Sequence, residues 1–273
     1  MKRELVFHKR GSVIGGLSLT NKLILVNVLA YIFILFVIGI YGEEFFLNNI
    51  ALTPSLILSG ENLWTFITSM FSHVLFFHLF ANMFSLFFVG NFLERIIGRR
   101  RFLSVYLAAG ILGGVFFVGL AYIGQLIPYG SILFGGIDIN GVGASGAIFG
   151  LLGVLAVLVP YSRIYLIVGP LIVLILVLLF PQFSLIGNIL ILIMIFSMFS
   201  FNSRLRILAV PIEMPMWVLP FVAIIPLVLI SFYIPLPIGN SAHFGGLVVG
   251  LAYGFYLRRK FPRKTDLLRK HFR

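Results

Sequence analysis

Apolar residues along this chain come in long continuous blocks, and short polar joints separate the blocks. Reading those runs predicts eight membrane-crossing segments, at about 23 to 41, 74 to 93, 102 to 123, 145 to 159, 164 to 180, 185 to 201, 217 to 234 and 242 to 257. An even number of spans puts both ends of the chain on one side. Twelve prolines and 28 glycines fall inside and between the blocks, as membrane helices tolerate where neighbours re-satisfy freed backbone groups. The fourth block is short, roughly 22 Å of helix against roughly 30 Å of hydrocarbon. With its inner end near Arg163, its N-terminus starts below the outer surface. Irregular backbone at that depth needs protein or a water-filled cavity around it.

Composition removes the soluble alternative. Of 273 residues, 60% are apolar and 10% charged, where a soluble domain carries roughly 25% charge. A single polytopic membrane domain over residues 23–257 is expected, between a basic N-terminal segment (1–22) and a basic tail (258–273). With no cysteine, disulfides, thiolate nucleophiles and cysteine-bound metal are excluded. The net charge of +12 raises the question of a nucleic-acid partner. In the eight-span arrangement, however, every lysine and arginine lies on the side of the chain ends, whereas Glu43, Glu44, Glu61 and Asp138 lie opposite. The positive-inside rule makes the basic side cytoplasmic. The charge then reads as an orientation signal, aided by anionic membrane lipids, and no nucleic-acid partner is expected. Residues 1–22 carry no small-residue cleavage site, so the first span reads as a retained anchor. Residues 42–73 form an outer loop whose Phe45, Phe46, Leu47 and Trp64 suggest partial burial at the headgroup level.

Polar side chains inside a membrane are costly and point to function. His8 and His271 belong to the tails, which leaves His73, His78 and His243 near the outer ends of spans. Gly141-Val142-Gly143-Ala144-Ser145-Gly146 supplies an irregular approach to the short fourth span. Ser145 opens that helix, where unpaired N–H groups and the positive dipole end suit an oxyanion. A plainer reading is that Ser145 caps the helix while Gly143, Gly146, Gly150 and Gly153 only pack. The eighth span begins Ser241-Ala242-His243-Phe244-Gly245-Gly246 and enters from the same face. Its Gly246, Gly250 and Gly254 form a smooth stripe on which the fourth span can pack closely, bringing His243 to Ser145 as a general base. In the second span, His78 and Asn82 stand one turn apart on one face. With the Ser145 backbone N–H they can bind a developing oxyanion, or they can simply hold helices together. His73 precedes His78 by five residues, about 500° round a helix, and is expected to point elsewhere with a structural role.

Taken together, these segments resemble the rhomboid family of intramembrane serine proteases. Gly143-Ala144-Ser145-Gly146 looks like the family's nucleophile motif, and His78-Leu79-Phe80-Ala81-Asn82 its histidine and asparagine motif. Ala242-His243-Phe244-Gly245-Gly246 looks like its histidine helix, and Glu94 to Gly98 its second-helix ending. The resemblance covers about residues 60 to 260. It implies that Ser145 is the nucleophile, His243 the general base and acid, and His78, Asn82 and the Ser145 N–H the oxyanion donors beside the Gly143 region. Gly143, Gly146, Phe149 and Gly246 would support them. The implied reaction is cleavage of transmembrane protein substrates without metal or cofactor.

Three departures stand out. Thr65, within Gly60-Glu61-Asn62-Leu63-Trp64-Thr65, replaces the usual arginine of the outer-loop motif, which puts the anchoring of that loop in question. Phe149 stands where tyrosine is common, keeping an aromatic floor under His243 but not the hydroxyl. The 98 residues between Ser145 and His243 leave room for an inserted helical hairpin at about 163–202, or for a tilted or re-entrant pair, before Val210-Pro211-Ile212-Glu213-Met214-Pro215 leads into the fifth core helix. The expected fold is thus all-α and polytopic, a six-helix rhomboid-like core with an inserted transmembrane hairpin, in a prokaryotic plasma membrane with both termini cytoplasmic. No acid is placed to orient His243, so a Ser-His dyad is expected. The chain contains no His-Glu-x-x-His pattern, and its aspartates, Asp138 and Asp266, cannot form a facing pair. A polytopic transporter with a broken fourth helix and an inactive rhomboid-like membrane chaperone are the alternatives.

Overall fold

The computed structural model describes residues 16–198, 202–231 and 239–272. The apolar blocks form helices that overrun their expected limits wherever polar residues continue the turn: α1 (Leu19–Tyr41), α2 (Phe76–Ile97), α3 (Arg99–Leu126), α4 (Ser145–Leu158), α5 (Gly169–Leu179), α6 (Ser184–Met198), α7 (Leu219–Ser231), α8 (Asn240–Lys260) and a short amphipathic α9 (Pro262–His271). Leu19–Tyr41, Phe76–Ile97, Arg99–Leu126 and Pro181–Met198 are long and apolar enough to cross a membrane. The protein is a mostly helical polytopic membrane protein. The basic segment before residue 16, and the expected span ends at 199–201 and 232–234, lie outside the described residues.

α4 is the centre of the molecule, buried along nearly its whole length between α3 and α8. Small residues make this burial possible. A side chain on Gly246 would overlap the Gly146 carbonyl, and one on Gly250 the Gly150 carbonyl, so α4 and α8 meet backbone to backbone. Gly150 also abuts Ala109 of α3, and a Cβ on Gly113 of α3 would lie 2.9 Å from the Ala242 carbonyl oxygen of α8. In lipid, where hydrophobic exclusion does not drive helices together, such close approach supplies the dispersion contacts that hold them.

Glu94, near the end of α2, ties down the start of α1. Its carboxylate accepts hydrogen bonds from the Leu19 and Thr20 amides at 2.9 and 2.8 Å and from the Thr20 hydroxyl at 2.8 Å. A carboxylate there satisfies orphan amides and complements the positive helix end. Arg99 lies 3.4 Å from the same carboxylate.

The outer loop is more ordered than a plain connection, with short helices at Glu43–Asn49, Pro54–Leu58 and Thr65–Thr68. Phe45 and Trp64 are exposed while Phe46 is fully buried, so the aromatic cluster divides between surface and core. Lacking arginine at 65, the loop is held by other bonds. The Trp64 indole donates to the Asn49 carbonyl and the Thr68 hydroxyl to the Ile50 carbonyl, each at 2.8 Å. Thr65 itself is buried and donates to the Asn62 carbonyl at 2.7 Å.

The segment after α4 departs from the all-helical expectation. Arg163–Ile167 (β1) pairs antiparallel with Pro211–Pro215 (β2), Arg163 opposite Pro215 and Ile167 opposite Pro211. The expected span at 164 to 180 therefore begins as a strand, because Ile164, Tyr165 and Ile167 are β-branched or aromatic. Helix starts only at Gly169, with Pro170 in its first turn. The two strands form a stem from which α5 and α6 project, packed on each other where Gly187 receives Val177.

Candidate active site

Ser145 sits at the first position of α4, after a tight approach. Gly143 has φ +119°, and a Cβ there would lie 2.8 Å from the His78 ring, so glycine is required for both conformation and space. Its N–H donates to the Ser69 carbonyl at 2.9 Å. That bond ties the segment before α4 to the outer loop. Two residues earlier, Gly141 and Leu52 exchange backbone bonds of 2.8 and 2.9 Å, so the outer loop fixes the path into α4. The first bond of the α4 ladder runs from the Ile148 N–H to the Ala144 carbonyl. The Ser145, Gly146 and Ala147 amides precede it, at the positive end of the helix.

α8 brings His243 to this point. Its Nε2 lies 2.7 Å from the Ser145 Oγ, beside the backbone contact of Gly246 with Gly146. The imidazole is buried and stacks on Phe149, ring centroids 4.6 Å apart and planes at 24°. Its Nδ1 is buried without a hydrogen-bond partner among the described residues. The start of α8 is pinned by the Ser241 hydroxyl, which donates to the Phe134 carbonyl at 2.8 Å.

His78 and Asn82 on α2 flank the approach from the other side. A Cβ on Gly143 would be 2.8 Å from His78 Nε2 and 3.6 Å from Asn82 Nδ2, so both face the backbone just before Ser145. One Asn82 N–H donates to the His78 carbonyl at 3.0 Å, leaving its second N–H. His73 contradicts the expectation that it points away. Its ring meets that of His78 edge-on at 5.0 Å, because helix begins only at Phe76 after an extended Leu75, and a helical rotation does not apply. The structure thus gathers Ser145, His243, His78, Asn82, Gly143, Gly146, Phe149 and Gly246 at one place. Sequence reasoning missed the Ser69 carbonyl, which carries no sequence signal, and the small-residue face of α3 at Ala109 and Gly113, whose run of small residues could have revealed it.

Fold and site define a class: a polytopic membrane protein with a serine and a histidine in contact at the buried start of a short central helix. The family model described as Rhomboid domain matches residues 60–196 and 186–260, and the chain belongs to the rhomboid family. It is 33% identical over 130 residues to RHOMBOID-like protein 12, mitochondrial, of Arabidopsis thaliana, covering 46% of this chain and 38% of that protein. It is 38% identical over 100 residues to Putative rhomboid protease YdcA of Bacillus subtilis (strain 168), 37% of this chain and 43% of that protein. Over 101 residues it is 41% identical to Rhomboid protease GluP of the same organism, 37% and 17% of the two chains. The matched stretches span less than half the length of these relatives.

Proposed function

We propose that this protein is an intramembrane serine endopeptidase that cleaves transmembrane protein substrates with a Ser145–His243 dyad. The observation that carries this reading is the 2.7 Å contact between His243 Nε2 and Ser145 Oγ, on an imidazole held flat against Phe149. For Nε2 to accept the serine proton, Nδ1 must carry the ring proton. Stacking fixes the ring's plane, the role a third residue fills in a triad.

A substrate helix unwinds locally to present a peptide carbonyl. Ser145 Oγ attacks its carbon as Nε2 takes the hydroxyl proton, and the carbonyl π electrons move onto oxygen. The Asn82 amide, the His78 ring and the α4 N-terminal amides surround that oxyanion and stabilise it. Collapse breaks the C–N bond, and the leaving amine receives the proton from Nε2. Water then attacks the acyl-enzyme ester with Nε2 again accepting a proton, which returns to Ser145 Oγ as the ester breaks. The chain lies in a prokaryotic plasma membrane with its basic side, carrying both termini, facing the cytoplasm. Transmembrane proteins and anionic lipids are its partners.

Fluorophosphonate labelling of the purified protein, read by intact mass, tests the dyad. Wild type gains one phosphonyl adduct, and Ser145→Ala and His243→Ala gain none. Labelling that persists in Ser145→Ala refutes the assignment. Absence of labelling and of cleavage of a model transmembrane substrate by folded wild type would favour the inactive chaperone reading.

A further inference from the structure

We infer that α5 and α6 form a re-entrant hairpin that dips into one leaflet of the bilayer and returns to the side it came from, embedded among the acyl chains of that leaflet. This inference rests on the chain being a membrane protein and not on its being a protease.

The two helices are short. α5 has 11 residues, about 16 Å of helix, and α6 has 15, about 22 Å. Hydrocarbon is about 30 Å thick. Pro181–Phe183 joins the two arms directly, so the shorter arm limits how far the tip can travel. Counting the 3₁₀ turn with α6 gives a helix long enough to span, but α5 cannot accompany it across.

The stem closes the remaining route. Adding β1 to α5 would extend the arm, yet among the described residues β1 and β2 pair only with each other, so each leaves an unpaired backbone edge. Hydrocarbon offers no partner for such an edge. The stem also carries Arg163 and Glu213, 3.8 Å apart, and exposes Tyr161, Tyr165 and Trp217, side chains suited to the headgroup level. It follows directly from the C-terminal end of α4, opposite the end that carries Ser145. Both strands therefore lie at that membrane face.

Immersion follows from composition. Neither α5 nor α6 carries a charged residue, and Leu185, Ile186, Ile193 and Phe196 are exposed. A contiguous apolar surface of this kind is not stable in water. Too short to cross and too apolar to leave, the hairpin must end within the hydrocarbon.

The absence of cysteine from the chain allows a clean test on the full-length protein in sealed vesicles. Single substitutions Gln182→Cys and Ser184→Cys probe the tip, Asn48→Cys the outer loop and Arg100→Cys the start of α3. A membrane-impermeant maleimide is applied from either side and again after detergent denaturation. Each reference reacts from one side only, and the two sides differ. The tip cysteines should react about tenfold or more slowly than either reference until denaturation, because the reagent is excluded from hydrocarbon. Tip labelling from the Asn48 side at the Asn48 rate would mean two full spans and overturn the inference. Labelling from the Arg100 side at the Arg100 rate would place the hairpin in water and overturn it equally. The two tip positions guard against one variant failing to fold, and neither result depends on Ser145 chemistry.

Discussion

Two helix pairs in this molecule have opposite relations to their surroundings. α4 and α8 touch backbone to backbone, with Gly246 on Gly146 and Gly250 on Gly150, and α3 closes over them. α5 and α6 touch each other at Gly187 but expose large apolar side chains along both helices, Leu174, Leu185, Ile193 and Phe196 among them. What separates the pairs is the spacing of small residues. Where glycine recurs every fourth residue on one helix and again on its neighbour, two backbones can meet, and polar groups such as Ser145 and His243 can be held at 2.7 Å. Where a single glycine interrupts a run of leucine and isoleucine, the pair is only a lipid-facing attachment.

The sharpest way to break this contrast is Gly250→Ala. Its Cβ would overlap the Gly150 carbonyl, and backbone cannot rotate aside as a side chain can. The cost should reach the top of the about 1–3 kcal/mol range for overpacking or exceed it. Fluorophosphonate labelling of Ser145 should fall away together with the melting temperature. Unchanged labelling and melting would show that the helices can separate without consequence.

His78→Ala comes next, and it separates chemistry from packing. Loss of one oxyanion donor should lower kcat on a model transmembrane substrate by about 10²–10³-fold, while the melting temperature moves far less than in Gly250→Ala. A variant that melts early but retains kcat would instead make His78 an interhelical support, the plainer of its two readings.

The central pair was legible in the sequence because its requirements are local. Ser145 at the start of a short block, Gly246, Gly250 and Gly254 in register, and His78 with Asn82 at helical spacing each follow from period and length. The site's supports were harder to read. The Ser69 carbonyl that holds Gly143 is a backbone group reached across the fold. The edge contact of His73 with His78 depends on where a helix starts, a boundary that apolar runs do not define. The strands at 163–167 and 211–215 escaped for a similar reason: a short apolar run reads alike as helix or strand until its partner, 48 residues away at Tyr165 and Glu213, is known.

Glu94→Gln extends the comparison to a polar junction. It keeps the side chain's shape but removes the charge that three donors of Leu19 and Thr20 share. Charge-assisted bonds of this kind contribute about 1.5–3 kcal/mol, so melting should shift clearly, with α1 loosening first. Limited proteolysis near residues 16–18 should accelerate in step, and Ser145 labelling of the surviving folded fraction should stay unchanged. Protection equal to wild type would mean that packing alone seats α1.

The smallest effect is expected at Gly187→Ala, the counterpart of Gly250→Ala. Here the added Cβ also overlaps its neighbour, but the neighbour is a Val177 methyl at the end of a side chain on a helix bordered by lipid. α5 can shift or Val177 can change rotamer, and neither movement reaches α4. The change in melting temperature should be less than half that of Gly250→Ala, and the rate of fluorophosphonate labelling should equal that of wild type. If Gly187→Ala depressed labelling as strongly as Gly250→Ala, strain in the hairpin would be passing through the β1–β2 stem into the C-terminal end of α4. The insertion would then be a mechanical part of the serine-bearing helix, and the contrast between the two pairs would be one of exposure alone.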